Sequence, residues 1–330
     1  MRDVFDLPAG PWPALEEPSG AEPDSRWRRI KTPLFRVVGS LPFCVLLFLL
    51  TLLSALVLGA EIARNCSAHL PAFDIDISWA VFSSFLRRPM QLWAGAPYAA
   101  TLLGMLLAHE MGHYLTCRYY RIDATYPYFI PAPTLIGTLG AFIRIRSPLV
   151  TRRELFDVGI SGPIAGFVVA LPVLIVSAWH AGIRAAAAPP GSITLGSPLA
   201  QTLSARLFHP GAAAGRLTLG PAGCGAWVGL FATALNLLPM GQLDGGHIIY
   251  AVFGRKHRYI SLGFFAALFP LGIFCWTGWL VWAGLMLLIG LRHPAPLMDE
   301  GRLDRGRKAL AVLALVMFLL CFTLTPFLVT

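Results

Sequence analysis

Five stretches of this chain, residues 37–60, 89–108, 158–179, 217–243 and 309–330, contain no Asp, Glu, Lys or Arg. Most of them are long enough to cross a hydrocarbon layer of roughly 30 Å as a helix. A sixth uncharged block, 259–291, is interrupted by "CWTGW" (275–279). It reads as a tight helical hairpin, with one long bent helix as the alternative. A backbone surrounded by lipid must satisfy its own hydrogen bonds, which leaves helices as the economical solution for such runs. The expected fold is therefore an all-α polytopic membrane protein with about seven transmembrane helices. Composition agrees: 56% of residues are hydrophobic and only 13% are charged, far from the balance of soluble domains.

Charge placement gives an orientation. With the N-terminus in the cytoplasm and seven spans threaded, segments 1–40, 118–155, 255–258 and 292–308 fall inside, and they hold 20 of the 26 Lys and Arg residues. An excess of basic residues on the cytoplasmic side is the normal signature of a membrane protein. The net charge of +9 is thereby explained by topology, so no nucleic acid partner is invoked. The expected partner surface is the lipid bilayer.

The first 40 residues, with "LPAGPWPALEEPSGAEPDS", do not read as a cleavable signal. Residues 1–36 are expected to form a disordered cytoplasmic arm, and 37–91 the first transmembrane helix and an outside loop. Residues 92–255 should form the functional core, and 256–330 the C-terminal transmembrane helices. The six cysteines are scattered and suggest neither a disulfide framework nor a thiolate metal site. Residues 180–220 read as a Gly/Ala/Pro-rich outside loop whose composition promises no core.

Within the apolar background, "LLAHEMGHYLTCR" (106–118) places two histidines and a glutamate where ionisable groups are costly and usually functional. His109 and His113 are four apart and project from one helix face. That spacing suits two imidazoles on one Zn²⁺ ion, with Glu110 beside them as general base. A catalytic zinc site wants a third protein ligand, and the best candidate is Asp244 in "NLLPMGQLDGGH" (236–247). The two histidines should lie roughly 6–12 Å from the cytoplasmic end of their helix. Asp244 follows a span running the same way, so the ligands share a leaflet. Pro239, Gly241, Gly245 and Gly246 should break the helix around Asp244, and broken backbone at this depth needs a protein-lined or watered cavity. His247 is an alternative ligand. Asn236 could donate to a developing oxyanion or merely pack. Asp157 reads as a helix N-terminal charge, and Gly162 and Gly166 of "SGPIAG" as close helix packing.

Residues 126–148 are too broken by proline for a helix, and "AFIRIR" (141–146) alternates with period two. A short membrane-associated β-hairpin is expected there, lying at the cytoplasmic face beside the metal. Its free edge could accept an unwound substrate as an added strand.

HEMGH, "SGPIAG" and "NLLPMGQLDGG", in that order, resemble the site-2 protease family of intramembrane zinc metalloproteases. The stretch "YPYFIPAPTLIGTLGAFIRIRSP" (126–148) with "RRELFDVGISGP" is similar to the plant-plastid and bacterial branch, and there is no room for the PDZ or CBS domains of some relatives. The resemblance implies that His109, His113 and Asp244 bind Zn²⁺, that Glu110 activates water, and that Asn236 assists the scissile carbonyl. It implies hydrolysis of peptide bonds in or near transmembrane segments of membrane protein substrates. The alternative is an ion or metal transporter using the same His, Glu and Asp residues; no internal repeat supports it, and transport has no need of Glu110 next to the first ligand. The expected location is a bacterial cytoplasmic membrane, with the N-terminus in the cytoplasm.

Overall fold

The first apolar run forms α1, Leu41–Ser67. The structure, a computed structural model, describes residues 40–68, 70–73, 89–132, 134, 136–183, 192–290 and 303–329. The N-terminal arm expected over 1–36 lies outside the described residues.

Helix α2, Ala96–Tyr119, starts with a proline in its first turn, where a missing N–H costs nothing. Helix α3, Arg152–Trp179, opens on a reciprocal cap: the Thr151 hydroxyl accepts from the Glu154 N–H, and the Glu154 carboxylate accepts from the Thr151 N–H. That box anchors the start of a 28-residue helix that runs on through Pro163 and Pro172. Helix α4, Leu199–Phe208, is short. Helix α5, Pro221–Asn236, ends where Leu237–Leu243 unwinds, and α6, Asp244–Phe253, restarts the helical path. Helices α7, His257–Phe274, and α8, Gly278–Ile289, follow, and α9, Arg305–Cys321, closes the bundle.

Helices α2, α3 and α5 form the centre. Leu102, Met105, Leu106, Ala170, Leu174, Trp227 and Leu230 share one buried apolar cluster. Small residues let the helices approach closely, as lipid-embedded interfaces require. A Cβ on Gly225 would stand 2.8 Å from the Tyr98 carbonyl oxygen of α2, and one on Gly112 would stand 2.5 Å from the Ser161 carbonyl oxygen of α3.

Among the described residues, three helical stretches are long and apolar enough to cross a membrane: Leu41–Ser67, Arg152–Trp179 and the joined path Asp244–Phe274. The remaining apolar runs make shorter or more polar helices for visible reasons. The run 217–243 is helical over only 16 residues because it unwinds after Asn236. The run 309–330 stops being helical at Cys321 and ends as strand β6, Phe327–Val329. Block 259–291 is two helices, with Leu280 of α8 folded back against Gly272 of α7.

The hairpin is present. Strands β1, Tyr128–Pro131, and β2, Thr138–Phe142, pair antiparallel, Tyr128 opposite Phe142 and Phe129 opposite Ala141. Beyond Tyr128 and Phe142 the pairing continues more loosely, with Thr125 N–H donating to Arg144 O at 3.0 Å and Arg146 N–H to Asp123 O at 2.8 Å. The connecting loop packs against the bundle. It rises along α1 and α2, where the Ser54 hydroxyl donates to Ala132 O at 3.0 Å and the Tyr98 hydroxyl to Ile136 O at 2.8 Å. Tyr98 lies in the first turn of α2 and is fully buried. The entry to the loop therefore runs most of the length of that helix. Those two hydroxyls satisfy loop carbonyls that lipid could not, which is what permits irregular backbone at this depth.

The segment 180–220 also departs from expectation. Strand β3, Gly182–Ile183, pairs with β5, Leu217–Thr218, and β4, Ile193–Leu195, pairs with β6. Ile193, Ala200, Ala205 and Leu217 are buried. The segment lacks a core of its own but borrows one: the Trp227 indole N–H of α5 donates to Gly196 O at 2.8 Å, and the C-terminal strand completes its sheet.

Candidate metal centre

His109 and His113 occupy successive turns on one face of α2, both buried. Asp244 opens α6, where the unpaired N–H groups and positive end of a helix favour a carboxylate. Its approach is set by the unwound segment: Gly241 adopts φ +51°, and its N–H donates to the Ser261 hydroxyl of α7. A chain break between α5 and α6 thus turns Asp244 towards α2.

The three side chains converge. His109 Nε2 lies 3.1 Å from His113 Nε2 and 3.1 Å from Asp244 Oδ2, while His113 Nε2 lies 3.4 Å from Asp244 Oδ1. Each offers an atom within 4.8 Å of the others, so the group is positioned to hold a metal ion. The separations suit one. Tetrahedral ligands at about 2.0–2.1 Å from a cation stand roughly 3.3 Å apart. The tautomer suits it as well. His113 donates its Nδ1–H to the Val158 carbonyl oxygen of α3 at 2.7 Å, leaving the Nε2 lone pair to face the cluster. A ring nitrogen tied to a carbonyl is the usual outer support of a metal-binding histidine.

Glu110 is buried and lines the same cleft as the three converging side chains. Its carboxylate faces the backbone of Ile143. Asn236, the last residue of α5, brings its Nδ2 to 3.4 Å from His109 Nε2. Ala141, Phe142, Ile143 and Ile145 form one wall of the cleft, and residues 141–146 alternate between half-buried and exposed. His109, Glu110, His113, Asn236 and Asp244, among the residues singled out from sequence, therefore line one cleft.

His247 lines the cleft too, but it is not one of the three converging side chains. Its Cβ is held against Gly159. Asp157 is not an N-terminal charge. Helix α3 begins five residues earlier, and Asp157 pairs with Arg307 of α9 and accepts from the Tyr120 hydroxyl.

Sequence reasoning undervalued the glycines of "SGPIAG". A Cβ on Gly162 would overlap the His113 ring, and one on Gly166 would stand 3.3 Å from His109 Cβ. These residues pack helices, as expected, but what they make room for is the two imidazoles. The readable signal was Gly112, inside HEMGH itself, which faces Ser161 across the same crossing.

Geometry and burial define a buried His/His/Asp group positioned to bind a metal ion, with a buried carboxylate beside it. Residues 97–276 match peptidase family M50, and the chain belongs to that family, the site-2 proteases. Probable zinc metalloprotease EGY1, chloroplastic, of Arabidopsis thaliana is 31% identical, covering 94% of this chain and 60% of its own length. Its Oryza sativa subsp. japonica namesake is 32% identical over 89% of this chain and 51% of its own. Probable zinc metalloprotease EGY2, chloroplastic, of Arabidopsis thaliana is 29% identical over 71% and 42%. The chain thus spans about half the length of the curated relatives it matches. No solved structure matches it.

Proposed function

We propose that this chain is an intramembrane zinc endopeptidase that hydrolyses peptide bonds in or near transmembrane segments of membrane protein substrates. The observation that carries this reading is the convergence of His109, His113 and Asp244 in a cleft that Glu110 also lines. The family and the names of the relatives support it.

His109, His113 and Asp244 hold the zinc ion. When bound, zinc supplies Lewis acidity, polarising a carbonyl and acidifying a water. Glu110 takes a proton from the attacking water and delivers it to the leaving amine nitrogen. Asn236 donates its amide N–H to the carbonyl oxygen as negative charge develops there. The edge at 141–146 receives the unwound substrate as an added strand, which exposes carbonyls that a helix would keep in its own hydrogen bonds. The transporter alternative has no support beyond the ionisable residues themselves.

The bundle is read as seven spans: α1, α2, α3, α5 with α6, α7, α8 and α9. Residues 1–36 form a cytoplasmic arm, 37–91 the first span and outside loop, 92–255 the protease core, and 256–330 the C-terminal spans. The Lys and Arg distribution supports a cytoplasmic N-terminus. A bacterial cytoplasmic membrane is the first reading of location. The relatives named chloroplastic favour a plastid membrane as the second.

The test is cleavage of a model transmembrane substrate by purified wild type and Glu110→Ala. Cleavage by wild type alone supports the reading. Equal cleavage by both removes Glu110 from the chemistry.

A further inference from the structure

Arg307 lies in the first turn of α9, far along the chain from the metal ligands. Its guanidinium grips Asp157 of α3 with two nitrogens, Nε donating to Oδ1 at 2.8 Å and Nη2 to Oδ2. Asp157 Oδ2 also accepts from the hydroxyl of Tyr120, the residue that caps the C-terminus of α2. Arg307 Nη2 reaches that same hydroxyl at 3.4 Å. On its other side Arg307 is steadied by Asp304, the N-cap of α9, which accepts from the Arg307 backbone N–H at 3.0 Å and pairs with the guanidinium.

This cluster joins α2 and α3, the two helices that the support of His113 also joins. The His113–Val158 hydrogen bond crosses from α2 to α3. The Tyr120–Asp157 bond makes the same crossing, one residue before Val158 on α3 and roughly 10 Å further along α2. An exposed ion pair is normally worth little. This one has a forked geometry that fixes direction as well as charge, its side chains are 24% and 21% exposed, and it shares a phenol from a third element. Without Arg307, the Asp157 carboxylate would lose its cationic partner and gain by turning towards water, away from Tyr120.

We propose that Arg307 is a positioning residue for the metal centre: acting through Asp157 and Tyr120, it fixes the α2–α3 crossing across which Val158 orients His113. This rests on the reading of His113 as a metal ligand.

The test measures zinc affinity by chelator competition and the visible absorption of the Co²⁺-loaded protein. It uses full-length chain in detergent, with helical circular dichroism as the folding control. Arg307→Ala is expected to bind zinc about tenfold more weakly, the lower end of what losing an outer support costs, and to show an altered Co²⁺ spectrum. Arg307→Lys keeps a point charge without the fork and should fall between. Tyr120→Phe should weaken zinc in the same direction, while Arg64→Ala, which breaks the pair with Glu61 on α1, should leave affinity and spectrum unchanged. Wild-type affinity and spectrum in Arg307→Ala would overturn the proposal. If that variant does not fold, wild-type behaviour of Arg307→Lys and Tyr120→Phe together overturns it. A wild-type protein that binds no metal sinks the metal reading itself, and the proposal with it.

Discussion

His113 donates its Nδ1 proton to the main-chain carbonyl of Val158 at 2.7 Å, while Gly162, one turn further along α3, leaves room for the ring. One helix carries the imidazole, and the next both aims it and makes space for it.

Gly162→Ala should therefore disturb the metal centre without touching a ligand. Its Cβ would overlap the His113 ring, and outer-support losses at metal sites typically cost about 10–100-fold in affinity. Gly104→Ala is the matched control, since a Cβ there meets nothing within 4 Å. It should keep metal affinity and gain about 0.5–1 kcal/mol of helix stability. Chelator competition on both variants checks the contrast.

Asn236→Ala should separate chemistry from binding. Its amide stands 3.4 Å from His109 Nε2. As an oxyanion donor it would be worth about 10²–10³ in kcat, with metal content unchanged. A kinetic comparison with wild type checks this: a rise in KM with constant kcat would assign Asn236 to substrate binding instead.

Tyr98→Phe and Ser54→Ala should each loosen the hairpin loop. Each removes one hydroxyl and leaves a buried loop carbonyl, Ile136 O or Ala132 O, without its donor. The expected loss is about 1–3 kcal/mol of local stability, read as faster hydrogen exchange over residues 136–143. Metal affinity should not change, because neither residue lies among the three converging side chains.

His247→Ala should retain zinc, whereas Asp244→Ala should lose it. Both residues line the cleft, yet only Asp244 points its carboxylate at both imidazoles. Metal analysis of the two purified variants distinguishes them.

The convergence of His109, His113 and Asp244 was legible in the sequence because each obeys a local rule. His109 and His113 are set by helical spacing, and Asp244 by the Pro and Gly residues that break its helix. The alternation in 141–146 likewise announced an edge that the structure places in the cleft wall. What was hidden depended on distant partners. Nothing near Ala132 or Ile136 says that hydroxyls from Ser54 and Tyr98 will draw the loop into the bundle. Nothing near Asp157 names Arg307, 150 residues away. The fold of 192–218 was unreadable for the same reason, since its sheet is completed by Phe327–Val329 and its indole donor by Trp227.

The central claim is that side chains from α2 and from the start of α6 share one zinc ion. Metal content of the purified chain measures it most directly, comparing wild type, Glu110→Gln, His113→Ala and Asp244→Ala. The account predicts about one zinc per chain in wild type and in Glu110→Gln, and loss of that zinc in the other two. Zinc retained at wild-type stoichiometry and affinity in both His113→Ala and Asp244→Ala would contradict it.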